Sequence, residues 1–308
     1  MCQLKRKVIQ IANSTQLISL PRKWSIKYGI KKGDELEVEE NGNKVILHTE
    51  KGFATDKVEL DVTDLEIMTQ RCVHALYKKG ADEIKLTFIH PELIESVQSA
   101  LGKEAVGFEI TEQGPNYCII KHVSGELQEF DSVLRRVFLV LISMADGSLD
   151  AIKKKDFSAL KSIALLEESN NRFTTSCRRF INKIGYKDAR KTGPFYYIIE
   201  NMENLADQYK YLCNYLYKLR DKKVTIGKDI LEIYDKMNEM LRNFYELFYK
   251  FDKSKLVSMA QSRKEIVEKA YIIFEKNKNP WDRVLMHHLL TITQMIFCFL
   301  GPYLVINL

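Results

Sequence analysis

The sequence predicts a multidomain α+β chain: a small β-rich N-terminal domain, a small α/β sandwich and a long all-helical remainder. Three observations predict it. Short alternating apolar runs are confined to the first 50 residues, strand and helix signals alternate from 58 to about 127, and strand signals vanish after about 130. At 308 residues the chain exceeds one comfortable core, and about 150 residues per domain implies two or three domains.

The first region, 1–50, contains the runs KRKVIQIA, TQLISL, ELEVEE and KVILHT, separated by turn signals at Asn13-Ser14, Gly33-Asp34 and Asn41-Gly42-Asn43. Between the second and third runs, PRKWSIKYGI opens with Pro21, suited to a helix first turn, and closes at Gly29, suited to a C-cap. The expected order is strand, strand, short helix, strand, strand.

The second region, 51–128, begins with the strand KVELDV and a helix over LEIMTQRCVHALYKKG, with Asp64 near its start. A strand EIKLTFI follows, then a helix opened by Pro91, then GFEITEQ and YCIIKHVS as a hairpin. This is a small sheet with helices on one face, and it is expected to be a connector domain.

From 129 onward the apolar residues recur at helical spacing, as in Val133, Val137, Phe138, Leu141, Ile142 and Ala145. Six helices are expected near 131–154, 157–184, 195–220, 227–252, 255–276 and 280–300. Ser254 is the expected N-cap of the fifth, and Asn279-Pro280 starts the sixth. DFSALKSIA at 156–164 and DKSKLVSMA at 252–260 share Asp, Ser, Leu, Ser and Ala at identical spacing. This repeat divides the helices into two three-helix bundles, 129–223 and 224–308.

Hydrophobic content of 45% with 29% charged residues excludes large-scale disorder. The six cysteines form no CxxC pair and the six histidines no HExxH spacing, which points to reduced, mostly buried thiols in a cytoplasmic protein. MCQLKRKVIQ has no apolar export segment. The last charged residue is Arg283, but Thr291, Thr293, Gln294 and the Gly301-Pro302 pair interrupt the apolar tail, so a buried final bundle helix is expected rather than a stable membrane span. No Gly-rich phosphate loop or GxSxG elbow is present, and the chain is not expected to be an enzyme.

The net charge of +6 is unevenly spread. Every charged residue from 1 to 32 is basic, which gives a compact N-terminal domain one positive face. Nucleic-acid phosphate is the expected partner, through Lys5, Arg6, Lys7, Arg22, Lys23 and Lys27; the plainer alternative is a solvated basic face. SLPRKWSIKYGIKKGDELEVEENGNKVILHT, with Leu20-Pro21, Gly29-Ile30 and Gly33-Asp34 at their places, resembles the SpoVT/AbrB swapped-hairpin family over about residues 4–48. The resemblance implies half of a β-barrel completed by a second copy, and DNA contact by the interleaved homodimer. Many members of that family carry Gly-Arg before the second strand and an arginine pair in the helix. Here Gln16-Leu17 and Ser25-Ile26 stand there, so base preference does not carry over, and Lys and Arg are expected to grip phosphate.

In the third helix of the first bundle, Met202, Leu205, Ala206, Tyr209, Leu212, Cys213 and Leu216 share one stripe. Glu203 and Asp207, four residues apart, point away from it and repel each other. Two readings compete: a solvated polar face, or two carboxylates converging on a cation. Two homologous sets of three helices with Glu-x-x-x-Asp in an ENLADQ context resemble the PhoU family over about 130–308, and the full domain order looks like its archaeal-type regulators. That family holds metal ions, often iron or zinc, on such motifs and acts in phosphate homeostasis. The resemblance therefore implies a metal at Glu203 and Asp207, with Glu167, Glu168 and Asn171 as further oxygen donors. The second bundle has lost its counterpart, with Leu289 and Thr293 at the matching positions. His287-His288 are adjacent on a helix and are expected to pack rather than ligate.

Two functions compete. One is a dimeric DNA-binding transcriptional regulator of phosphate uptake, sensing through the PhoU-like helices. The other is an adaptor without DNA binding that restrains a phosphate transporter or its sensor kinase. The basic run of 1–32 favours the first. An antitoxin role, which swapped-hairpin domains also serve, is disfavoured by the long helical remainder.

Overall fold

The computed structural model describes residues 5–11, 14–41, 44–49, 56–123 and 129–308. Cys2, the turns at Asn13 and at Gly42-Asn43, and the junctions at 50–55 and 124–128 lie outside the described residues. The chain divides into two compact units, Met1–Asp56 and Lys57–Leu308.

In the first unit, β1 (Ile9–Ile11) and β2 (Thr15–Leu17) form one antiparallel pair, with Ile9 opposite Leu17. The helix α1 (Arg22–Lys27) leads to a second pair, β3 (Glu37–Asn41) with β4 (Lys44–His48), and Val38 lies opposite Leu47. The helix α1 ends because Gly29 takes φ +60°. Gly29 N–H then donates to Ile26 O at 3.1 Å and Ile30 N–H to Ser25 O at 2.9 Å, the paired bonds of a Schellman stop. The Gly-Ile dipeptide thus has a backbone reason.

In the second unit, β5 (Lys57–Asp61), α2 (Thr69–Lys79), β6 (Glu83–Thr87), α3 (Leu93–Lys103), β7 (Phe108–Gly114) and β8 (Tyr117–His122) build the α/β layer. The sheet order is β5-β6-β8-β7, with β5 parallel to β6 and the other pairs antiparallel. Alternation decides which face is covered: Ile84, Leu86, Cys118 and Ile120 are buried with Val73 and Val97 from the helices. The opposite face carries ion pairs between exposed side chains such as Lys85 and Glu59. This layer packs α2 onto the helical region while keeping its own core.

The helices are α4 (Phe130–Lys154), α5 (Leu160–Ala164), α6 (Leu166–Ile184), α7 (Ala189–Tyr217), α8 (Lys228–Tyr249), α9 (Lys253–Lys276), α10 (Pro280–Cys298) and α11 (Leu300–Asn307). The helix α4 packs on α6 and α7, α8 on α9 and α10, and the halves meet where α4 touches α8 and where α7 touches α10 and α11. One continuous apolar core runs from Phe130 to Ile306. At its centre Ser148 meets the Tyr234 hydroxyl at 2.6 Å, and Asn238 donates to Ala145 O at 2.7 Å, so these buried polar groups are satisfied.

Four helix boundaries differ from expectation. The expected 157–184 helix breaks at Leu165, and α7 starts at Ala189 behind an Asp188 cap, enclosing Pro194. The N-cap of α9 is Asp252, not Ser254; its carboxylate accepts from Ser254 N and the Ser254 hydroxyl. The repeat explains this, because Asp156 likewise accepts from Ala159 N. Past α10 the chain turns at Phe299 and resumes through Gly301-Pro302, since proline in a first turn forfeits no helical hydrogen bond. From Pro280 to Asn307 the chain is long and apolar enough to cross a membrane, and 39% of its most apolar stretch is buried here, with Leu289, Ile296 and Tyr303 turned into the core.

Candidate functional site

The N-terminal unit presents its cations and buries none of its described side chains. Lys5, Arg6 and Lys7 precede β1, and Arg22, Lys23 and Lys27 lie on α1; all six are exposed, with no carboxylate partner among the described residues. Lys27 Nζ rests 5.5 Å from the centre of the Tyr28 ring. No described residue of this unit is buried, and Val8, Ile9, Ile11, Ile18, Ile26, Val38 and Val45 are all more than half exposed.

The second candidate region is the seam between α6 and α7. The helical wheel places Glu203 and Asp207 off the apolar stripe of α7, and the structure agrees, but neither faces open solvent. Both are half-buried because α6 covers them with its own polar face. Arg178, fully buried, donates one guanidinium nitrogen to Glu200 and the other to Glu203. Thr174 adds a hydroxyl 3.0 Å from the same Glu203 oxygen. One turn further along, Lys210 Nζ sits 2.5 Å from Asp207 Oδ1 and 2.8 Å from Glu167 Oε1, and Asn171 Nδ2 donates to Glu167 Oε1 at 2.7 Å. Glu168 is exposed and takes no part.

Burial sets the charge states here. It pushes the Glu203 carboxyl above its usual value against the opposing pull of Arg178. Burial also disfavours the Lys210 ammonium, but hydrogen bonds from it to Asp207 and Glu167 outweigh this and raise its pKa. Glu203 holds its proton more tightly folded than unfolded, so its contribution to stability is fully present below pH 4.5 and is lost as pH rises through the raised folded value. Glu203→Gln, which cannot titrate, is therefore expected to flatten the melting-temperature profile just above pH 4.5. Identical profiles for the two proteins would contradict the assignment.

The expected metal set does not fit this geometry. Each carboxylate of the motif already accepts from a cationic side chain, and no group of three or more His, Cys, Asp or Glu among the described residues gathers as a metal would need. Leu289 and Thr293, the counterparts in the second half, are fully buried. His288 packs beside Tyr215, while His287 is exposed. The described cysteines are free; Cys118, Cys177 and Cys213 are buried, Cys72 is half-buried and Cys298 exposed.

Sequence reasoning missed the two arginines of α6. In RFTTSCRRFINKI they look like surface charges, yet Arg179 is 1% exposed. Its guanidinium donates to Tyr77 O at 3.0 Å, Ala81 O at 2.6 Å and Asp82 Oδ1 at 2.9 Å, and lies over the rings of Tyr77 and Phe108. Arg178 shares the α6 face of Thr174, Cys177 and Ile181, whereas Arg179 lies on the opposite side with Thr175 and Asn182, where α2 covers it.

Residues 9–52 match the MazE antitoxin family, described as antidote-toxin recognition MazE, bacterial antitoxin. The crystal structure of the phosphate transport system regulatory protein PhoU from Streptococcus pneumoniae is similar in fold. It superposes with a TM-score of 0.50 at 15% identity, covering 59% of this chain and 95% of that one. No curated protein matches the chain. The chain thus combines a MazE/AbrB-like N-terminal segment with a PhoU-like helical fold.

Proposed function

We propose that the chain is a DNA-binding transcriptional regulator of phosphate uptake and phosphate homeostasis, a cytoplasmic homodimer without catalytic activity. The observation that carries this reading is the N-terminal unit: six exposed cations without carboxylate partners among the described residues, beside apolar strands that bury nothing within one copy. A second copy supplies the missing half of the core, and the paired cations grip phosphate. The name of the matched pneumococcal protein supports phosphate as the regulated commodity, and the PhoU-like helices are the sensing part of the molecule.

Binding to duplex DNA measured across salt concentrations tests this. The expected logarithmic plot falls steeply, and Arg22→Ala with Lys23→Ala reduces its slope by about 1 for each phosphate no longer gripped, weakening all sequences alike. Chromatin occupancy is expected near phosphate-transport genes. Binding that ignores salt, or occupancy scattered at random, would overturn the reading and favour the adaptor that restrains a transporter or sensor kinase.

A further inference from the structure

We infer that Lys210 and Arg178 are the resident cations of the α6–α7 seam, and that the Lys210 ammonium stands where a metal ion would bridge Glu167 and Asp207. The inference rests on the seam's geometry and holds whether or not the N-terminal unit binds DNA. A lysine ammonium and a hard divalent cation ask the same of a protein: several oxygen acceptors converging on one point of positive charge. Here two carboxylates from different helices converge on Lys210 Nζ, at 2.8 Å from Glu167 and 2.5 Å from Asp207.

The neighbourhood has one more oxygen than the lysine uses. Asn171 holds Glu167 through its Nδ2, while its Oδ1 is buried with no hydrogen-bond partner. Buried polar atoms are rarely left unpaired. With Glu167, Asp207 and Asn171, the seam offers carboxylate and amide oxygens, the donor types that suit Mn²⁺, Mg²⁺ or Ca²⁺. The lysine therefore excludes the metal by occupying its place and by repelling its charge. Arg178 does the same for Glu203, binding its carboxylate together with that of Glu200. The seam is a metal-type carboxylate constellation whose cations are covalently part of the chain.

Two consequences separate this from a metal-bound seam. The wild-type chain is metal-independent: its melting temperature is expected to be the same in EDTA as in millimolar Mn²⁺, and elemental analysis of purified protein to show no stoichiometric metal. Lys210→Met keeps the side-chain length and removes the charge. It is expected to melt lower than wild type in EDTA, to regain stability on adding Mn²⁺, and to bind Mn²⁺ at least tenfold more tightly than wild type by titration calorimetry. Adding Asp207→Asn to Lys210→Met is expected to abolish the gain.

Stoichiometric metal in the wild type that disappears with Asp207→Asn would overturn the inference. So would a folded Lys210→Met that gains no Mn²⁺ affinity. Should Lys210→Met not fold, Lys210→Gln carries the same titration, and the wild-type elemental analysis stands by itself.

Discussion

Replacing Arg179 with alanine is expected to cost about 3–5 kcal/mol, the range seen when one partner of a buried charge cluster is removed. The size follows from what the side chain does for α2. A helix leaves its last carbonyls without partners, and burying them unpaired is costly. The helix α2 ends against α6, with Gly80 at φ +101° allowing the close approach; a Cβ there would meet Lys183 Cβ at 3.1 Å. Arg179 then takes Tyr77 O and Ala81 O, and Asn182 takes Lys78 O at 2.8 Å. The positive guanidinium also complements the negative end of the helix dipole.

Alanine would take the donor from Ala81 O, leave Tyr77 O with its bond from Gly80 N–H, and remove the guanidinium from Asp82 while Lys183 stays beside it. Arg179→Lys keeps the charge but cannot fork to three acceptors, so an intermediate loss is expected. Hydrogen exchange is the sharper measurement. Amides of α2 and β6 are expected to lose protection first, while α8 and α10, which sit in the helical core, keep theirs. A loss below about 1 kcal/mol with unchanged exchange in α2 would show that the α/β layer is held by apolar packing instead.

The junction of α2 with α6 also shows where sequence reading stops. The helices are legible because one stripe of each is apolar, as in Met202, Leu205, Tyr209, Leu212 and Leu216, all of them buried. The strands are legible because alternation such as Ile84 and Leu86 is strict. What a helical wheel cannot display is two polar faces meeting. The wheel of α7 sets Glu203 and Asp207 off the apolar stripe, and from there both solvent and a metal stay open. Only the fold brings the polar side of α6 over them, so that Arg178 and Lys210 fill the gap.

Helix breaks are hidden for a related reason. Leu165 interrupts its helix without glycine or proline at the break, whereas the break at Phe299 follows from Pro302, which has no N–H for Cys298 O and whose ring crowds that carbonyl. Gly301-Pro302 reads as a stop because proline cannot continue a helix interior, yet it begins α11 where no donor is needed.

In the N-terminal unit, Ile9→Asp is expected to dissolve the proposed dimer and weaken DNA binding. Ile9 and Leu17 lie opposite each other on one face of the β1–β2 pair, and Ile11 follows two residues along the same face. An isolated two-stranded hairpin is marginal in water, and this unit contains two, with no buried side chain among its described residues. Full burial of one Val, Leu or Ile contributes about 1.5–3 kcal/mol, so a second copy covering several of them would supply what one copy lacks. An aspartate at position 9 would bring an unpaired carboxylate into that interface, a cost of several kcal/mol that raises the dimer dissociation constant by roughly a thousandfold. Each copy contributes its own cations, so a monomer keeps half the phosphate contacts and its salt slope is expected to halve. Sedimentation equilibrium reads the first effect and DNA titration at several salt concentrations the second. Far-ultraviolet circular dichroism is expected to change little, because the helices have a separate core running from Phe130 to Ile306. A wild-type chain that sediments as a monomer at micromolar concentration, or a monomeric Ile9→Asp that binds DNA as steeply as wild type, would show that one copy grips DNA alone.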